Sequence, residues 1–242
     1  MAKFGNTATR IYLDEFNLSG DLNSFTQNVN QETPVCTTFA DAGPRRAVGN
    51  YDSDGSYIGF FEGDADDYDK IIDDLVESAA DHYVATCPGA NAEGSVCYEN
   101  TVMLTGKPIS GETGGVVMLN WDVAGTGGIV RGLVLGNSVE TGSGQSTGIN
   151  QGTTTSPEEY QVVFRLVALT GSNITMKIQG SSDDGSGDAY GDISGLTSGS
   201  LSAAGVVRVS TTATTEAWKR IDFSGTFSSA TIFVTAGSVA GT

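Results

Sequence analysis

Histidine is almost missing from this sequence: His82 is the only one in 242 residues. A lone imidazole leaves little for general acid–base hydrolysis, and no His/Cys cluster with zinc spacing occurs. His82 stands between Asp81 and Tyr83 in a strand-like segment, where a hydrogen-bonded sheet residue is expected. Cysteine is scarce as well, with Cys36, Cys87 and Cys97 only. An odd count, with no apolar leader in Met1–Asn6, points to thiols made in a reducing cytoplasm. Cys87 and Cys97 flank a loop containing Pro-Gly, and a disulfide between them stays open. Positive charge is short too: 12 Lys and Arg stand against 29 Asp and Glu, a net charge of −17. Such a surface repels nucleic acid and anionic lipid, which argues against direct nucleic-acid binding. No apolar run reaches the roughly 18 residues of a membrane-spanning helix. Proline occurs five times against 33 glycines, a balance that suits many turns between short strands.

What is present is a chain that is 38% hydrophobic, enough for a proper core. Strand patterns run over Thr9–Phe16, Tyr57–Phe61, His82–Thr86, Ser95–Tyr98 and Thr101–Thr105. Gly115–Ala124 and Ile129–Leu135, separated by Gly125-Thr126-Gly127-Gly128, read as a β-hairpin. A polar stretch from Asn23 to Gly55 is long for a simple connection, and such loops usually carry function. One helix is predicted over 64–80: Tyr68, Ile71, Ile72, Leu75, Val76 and Ala79 form an apolar stripe. Asp64 suits its N-cap, Asp66 and Asp67 suit its positive end, and Asp69, Asp73, Asp74 and Glu77 give it a wet face. Residues 138–156 are nearly all Gly, Ser, Thr, Asn and Gln and read as a linker. Beyond it come strands at Tyr160–Leu169, Ile174–Gln179, Val206–Ser210, Trp218–Phe223 and Thr231–Thr235, with turns such as Gly171-Ser172-Asn173 between them. The expected division is a β domain at 1–137, a linker at 138–156 and a C-terminal β-sandwich at 157–242. Acidity is concentrated early. Residues 1–136 hold seven bases and twenty acids, a net of −13, and Asp52–Asp81 holds eleven acids with Lys70 as its one base.

The motifs that suggest chemistry all have simpler explanations. Gly144-Gln145-Ser146-Thr147-Gly148 matches the G-x-S-x-G elbow, but the serine lies in low-complexity sequence with no helix after it. Asp52-Ser53-Asp54-Gly55 and the Asp183, Asp184, Asp188 group resemble pieces of calcium loops without the spacing of an EF-hand. The second group is the better metal candidate; no other cofactor is indicated. Trp121, Trp218 and Tyr190 could stack on a sugar ring, although both tryptophans fall inside strand patterns where core packing is the commoner fate. No catalytic set emerges, so the chain is expected not to be an enzyme.

The opening Ile11-Tyr12-Leu13-Asp14-Glu15-Phe16-Asn17-Leu18-Ser19-Gly20-Asp21-Leu22-Asn23 resembles the start of tail tube (major tail) proteins of long-tailed phages. Further similar elements are Thr37-Thr38-Phe39, the Gly49 turn, Ser56–Gly63 running into the helix, Val162–Leu169, Met176-Lys177-Ile178-Gln179 and Lys219-Arg220-Ile221. The three cysteines belong to no signature of that family. The resemblance implies a mainly β fold: a β-sandwich or barrel with one flanking helix, plus an outer C-terminal sandwich. It also implies a homo-oligomer of closed, six-membered rings stacked into a tube, joined to other tail proteins, assembled in the host cytoplasm and resident in the virion tail. DNA would pass through without specific binding, and no membrane would be entered. The family's long early loop contacts the next ring, which nominates Asn30, Thr37, Thr38, Phe39, Arg45, Arg46 and Tyr51 as interface residues. An acidic lining would speed DNA past the wall, but the sequence does not say which acids face a lumen. The rival expectation is a capsid decoration or a receptor- or carbohydrate-binding virion protein.

Overall fold

The computed structural model describes residues 9–31, 35, 51–61, 68–89, 91–113, 115–156 and 158–239. In chain order its elements begin with β1 (Arg10–Leu13), β2 (Phe16–Asn17), β3 (Leu22–Gln31), β4 (Tyr51–Phe60), α1 (Tyr68–Val76), β5 (His82–Cys87) and β6 (Val96–Gly106). They continue with β7 (Ile109–Ser110), β8 (Met118–Gly125), β9 (Val130–Glu140), β10 (Gly144–Gln145), β11 (Ile149–Asn150), β12 (Glu159–Ser181), β13 (Gly191–Leu201), β14 (Gly205–Thr211) and β15 (Trp218–Val239). The protein is mainly β, paired antiparallel, as its composition predicts. Two compact units emerge, one of residues 1–19, 83–99 and 130–242, the other of 20–82 and 100–129.

These units do not follow the expected cuts at 137 and 156. The reason is pairing: β9, β10 and β11 all lie antiparallel to β15, so segment 138–156 is stitched onto a sheet by its small polar residues.

The first unit is organised by one long ribbon. β12 and β15 pair from Glu159↔Val239 to Ser181↔Trp218, where separate short strands with turns between them were expected. Gly171 does not reverse the chain. It takes a φ of +151°, Gly225 takes +139°, and the ladder slips in register between Leu166 and Asn173. A Cβ on Gly171 would lie 2.4 Å from the Phe227 Cα, and one on Gly225 would lie 2.4 Å from the Asn173 carbonyl oxygen. Only glycine allows so close an approach, and here it makes a bulge that bends the ribbon. Beyond the bend, Ile174, Met176 and Ile178 share a core with Tyr160, Val162, Phe164 and Leu166 from before it. With β14 on one arm and β13 on the other, the folded ribbon is a β-sandwich.

The opposite face of the first arm is buried as well. Tyr12 stacks on Phe233 with ring centroids 3.9 Å apart, among Ala85, Val134 and the Cys87–Cys97 disulfide. Arg165 is fully buried there, and it joins three strands. Its guanidinium makes a bidentate pair with Glu99 at 2.6 and 2.9 Å and donates to the carbonyls of Asp14 (2.7 Å) and Tyr83 (3.0 Å). Thr235 donates to the same carboxylate. Every donor direction in use has an acceptor, which offsets the desolvation of the pair.

The second unit is a sheet ordered β3–β4–β8, with β8 also pairing with β7 and the end of β6. Tyr57 and Trp121 are fully buried and stack at 4.0 Å. The helix is shorter than 64–80: α1 ends at Val76, and Ser78–Ala80 are exposed, while Asp64, Asp66 and Asp67 lie outside the described residues. Tyr68 and Ile72 are its buried contacts. Its acidic face is not simply wet, because Lys107 bonds Asp69 at 2.8 Å and also Asp73. Burial pulls the Lys107 pKa down, but the two carboxylates outweigh it and leave it raised.

Ser95–Tyr98 and Thr101–Thr105 are halves of the single strand β6. β8 and β9 are not a hairpin: each pairs antiparallel with β6, β8 with Val102–Gly106 and β9 with Val96–Glu99. The glycines at 125, 127 and 128 make a bulge in which the Thr126 amide still donates to the Thr101 carbonyl.

Candidate assembly surfaces

The polar stretch 23–55 begins and ends in strand, over 23–31 and 51–55. β3 and β4 pair from Leu22↔Gly59 to Gln31↔Tyr51, and the only β partner of β3 among the described residues is β4. This placement was hidden because β3, Leu-Asn-Ser-Phe-Thr-Gln-Asn-Val-Asn-Gln, has only Leu22, Phe25 and Val29 as apolar residues. Its outer edge carries neither charge nor proline. Natural edge strands usually hold lysine, proline or a covering loop to stop another strand from adding. Across the pair, Asn28 and Asn30 both donate to Asp54, at 2.6 and 3.0 Å. That carboxylate, part of a suspected calcium fragment, therefore holds the ribbon's register.

Of the nominated interface residues, Asn30 and Tyr51 stand at the end of this ribbon that leads into segment 32–50. Thr37, Thr38, Phe39, Arg45 and Arg46 lie outside the described residues, as does Cys36. The same unit exposes Phe60 (42%), Ile109 (52%), Val116 (62%) and Val117 (42%). They belong to one sheet end: Phe60 opposes Met118, Ile109 opposes Leu119, and the Phe61 amide donates to the Val117 carbonyl at 3.0 Å. Large exposed apolar groups gathered in one place mark contact surfaces.

The other sites suggested by sequence have structural partners. Asp183 accepts amide bonds from Ser186, Gly187 and Asp188, which lower its pKa. Asp188 accepts from the Ser182 amide, and Asp184, at a φ of +62°, accepts from the Tyr190 hydroxyl. The three carboxylates tie off the turn between β12 and β13, and no group of three or more His, Cys, Asp or Glu among the described residues is placed to hold a metal ion. Ser146 accepts from the Ile221 amide at 2.9 Å, so it repairs the ladder of β15 instead of heading a helix. Of the three sugar-platform aromatics, Trp121 is buried, Trp218 is half-buried, and one face of Tyr190 is covered by Arg220 at 4.1 Å.

No protein-family model and no curated protein matches the chain. Several solved structures are similar, three of them as follows. A protein of the virion of a native gene transfer agent particle is 17% identical, covers 53% of this chain and 98% of its own, and has a TM-score of 0.42. A protein from the tail of an empty gene transfer agent particle, refined with C6 symmetry, is 16% identical over 54% and 98%, with a TM-score of 0.42. SPP1 Dit, of the hub adsorption apparatus in phages infecting Gram-positive hosts, is 10% identical over 96% and 100%, with a TM-score of 0.36. All three TM-scores fall below 0.5, the level that would define a shared fold.

Proposed function

We propose that this chain is a structural subunit of a phage tail, a tube protein that works through interfaces between identical copies and not through catalysis. The observation that carries this is the edge of β3: ten residues of strand without charge or proline, paired on one side only among the described residues. A sheet edge left open in a soluble monomer is an aggregation hazard, whereas in a closed ring each edge finds its neighbour. The sequence resemblance to tail tube proteins supports the same reading, and the apolar cluster at Phe60, Ile109 and Val117 adds a second surface for contact. In this account rings stack into a hollow tube in the virion, and DNA traverses it without being gripped.

Val29 is 55% exposed on β3, so a lysine there costs the monomer little while placing charge where a second strand must dock. Purified wild-type protein is expected to form rings or tubes by negative-stain microscopy, and Val29→Lys is expected to stay discrete with an unchanged circular dichroism spectrum. Undiminished tubes from Val29→Lys would remove β3 from the interface. A wild-type protein that remains a discrete monomer or trimer and binds glycan would replace the tube reading with that of a receptor-binding or decoration protein.

A further inference from the structure

In the first unit a pocket of about 280 Å³ opens beside the pairing of β9 with β15. Gly132 and Gly237 oppose each other in its wall, an approach only glycine allows, since a Cβ on Gly132 would sit 2.3 Å from the Ala236 carbonyl oxygen. Around this wall the polar groups divide into those already bonded and those not. The Gln151 side chain is committed at both ends, accepting from the Tyr160 hydroxyl and donating to the Ala236 carbonyl at 3.2 Å. The Ser238 hydroxyl shares a hydrogen bond of 2.7 Å with Thr154. Asn150 uses its carbonyl oxygen on the Gly152 amide at 3.0 Å, leaving its own amide donors without a bond among the described residues. Arg131 is exposed at the mouth and has no ion pair or hydrogen bond among the described residues.

A second cation stands behind the wall. The Lys219 ammonium group is buried 4.9 Å above the ring of Tyr160, bonded to the Gly152 carbonyl and, among the described residues, to no carboxylate. Among the described residues no Asp or Glu lines the pocket. In a chain of 29 acids and 12 bases, a concavity whose described lining holds Arg131 and no acid is a local reversal of sign. Two side-chain donors there have no bond among the described residues: the Arg131 guanidinium and the Asn150 amide. Their chemical complement is a carboxylate, which accepts two parallel N–H bonds from an arginine. The volume suits one acidic side chain with its stem and falls just below the usual range for a separate organic ligand, roughly 300–1,000 Å³.

We propose that this pocket is an interface site that receives an Asp or Glu side chain from a second copy of the chain. Charge complementarity selects that occupant, since every copy presents an acidic surface and this is a place prepared for one. The proposal rests on the self-assembly reading above and adds a named contact to it.

The test uses the full chain, comparing wild type, Arg131→Lys and Arg131→Glu by sedimentation velocity and negative-stain microscopy across protein concentration. Thermal melts of the unassembled proteins serve as the folding control. The expected result is that Arg131→Glu raises the concentration needed for assembly at least tenfold at an unchanged melting temperature, while Arg131→Lys stays within a few-fold of wild type. If wild type assembles and Arg131→Glu does so at the same concentration, the pocket proposal falls and self-assembly stands. If wild type never assembles, self-assembly falls and takes the proposal with it. Succinate is the probe for the alternative: submillimolar binding lost in Arg131→Glu, with assembly indifferent to both, would make this a small-anion pocket and overturn the interface assignment.

Discussion

Lys219 occupies a core position of β15, in step with Ile221 and Phe223, where alternation calls for an apolar residue. Burial depresses its pKa from 10.5 to about 8, with a smaller opposing pull from Glu216. The unfolded chain therefore takes up the proton first as pH falls from 10.5, and unfolding is favoured progressively down to about pH 8, below which the penalty is complete. Stability of the first unit should thus rise between pH 8 and 10.5 in the wild type. In Lys219→Met this rise should vanish, and at pH 7 the variant should be more stable by on the order of 1–3 kcal/mol, read from denaturant unfolding across that range. An equal slope in both proteins would show that the amine is solvated. Arg165 offers the contrast: a second buried cation, but one whose bidentate carboxylate and carbonyl partners meet its needs.

At the level of elements, the bend in the β12–β15 ribbon depends on two glycines. Gly225→Val puts a branched side chain against the Asn173 carbonyl and the Ile174 Cα in a backbone region that L-residues avoid. A loss of about 3 kcal/mol in chemical denaturation is expected, and a near-neutral result would mean the bulge can migrate. These glycines also explain what sequence could and could not tell. The apolar runs of Val162–Leu166 and Ile232–Val234 and the alternation of Ile174–Ile178 showed the strands and the class of fold, and the stripe through Tyr68 and Ile72 showed the helix. Glycine at a bulge, however, looks the same in sequence as glycine at a turn, so Gly171 and Gly125–Gly128 suggested chain reversals that do not occur. β3 was invisible for a different reason: an edge strand with one face in solvent needs few apolar residues, and Asn and Gln carry no strand signal. The pocket at Arg131 was equally hidden, because it is made by a glycine pair and by side chains from four strands and the segment between them.

Over the whole molecule, charge is the property that an assembly would amplify. The excess of −13 over residues 1–136 is repeated in every copy, so a tube of such subunits must either turn its acids to solvent or neutralise them against neighbours. In the proposed tube some of those acids line the bore, where they discourage contact with phosphate. A reconstruction of assembled particles should show a negative inner wall, and a basic bore would remove that part of the account.

The order of synthesis has its own consequence for the first unit. β9 emerges from the ribosome long before β15, the strand that covers Val134 and Leu135 with a hydrogen-bonded neighbour. Until residues 218–239 are translated, the sandwich has no centre, and its halves cannot close around Phe164. A nascent chain stalled before that point is expected to present β9 without its partner, with Val134 and Leu135 uncovered and free to meet other chains.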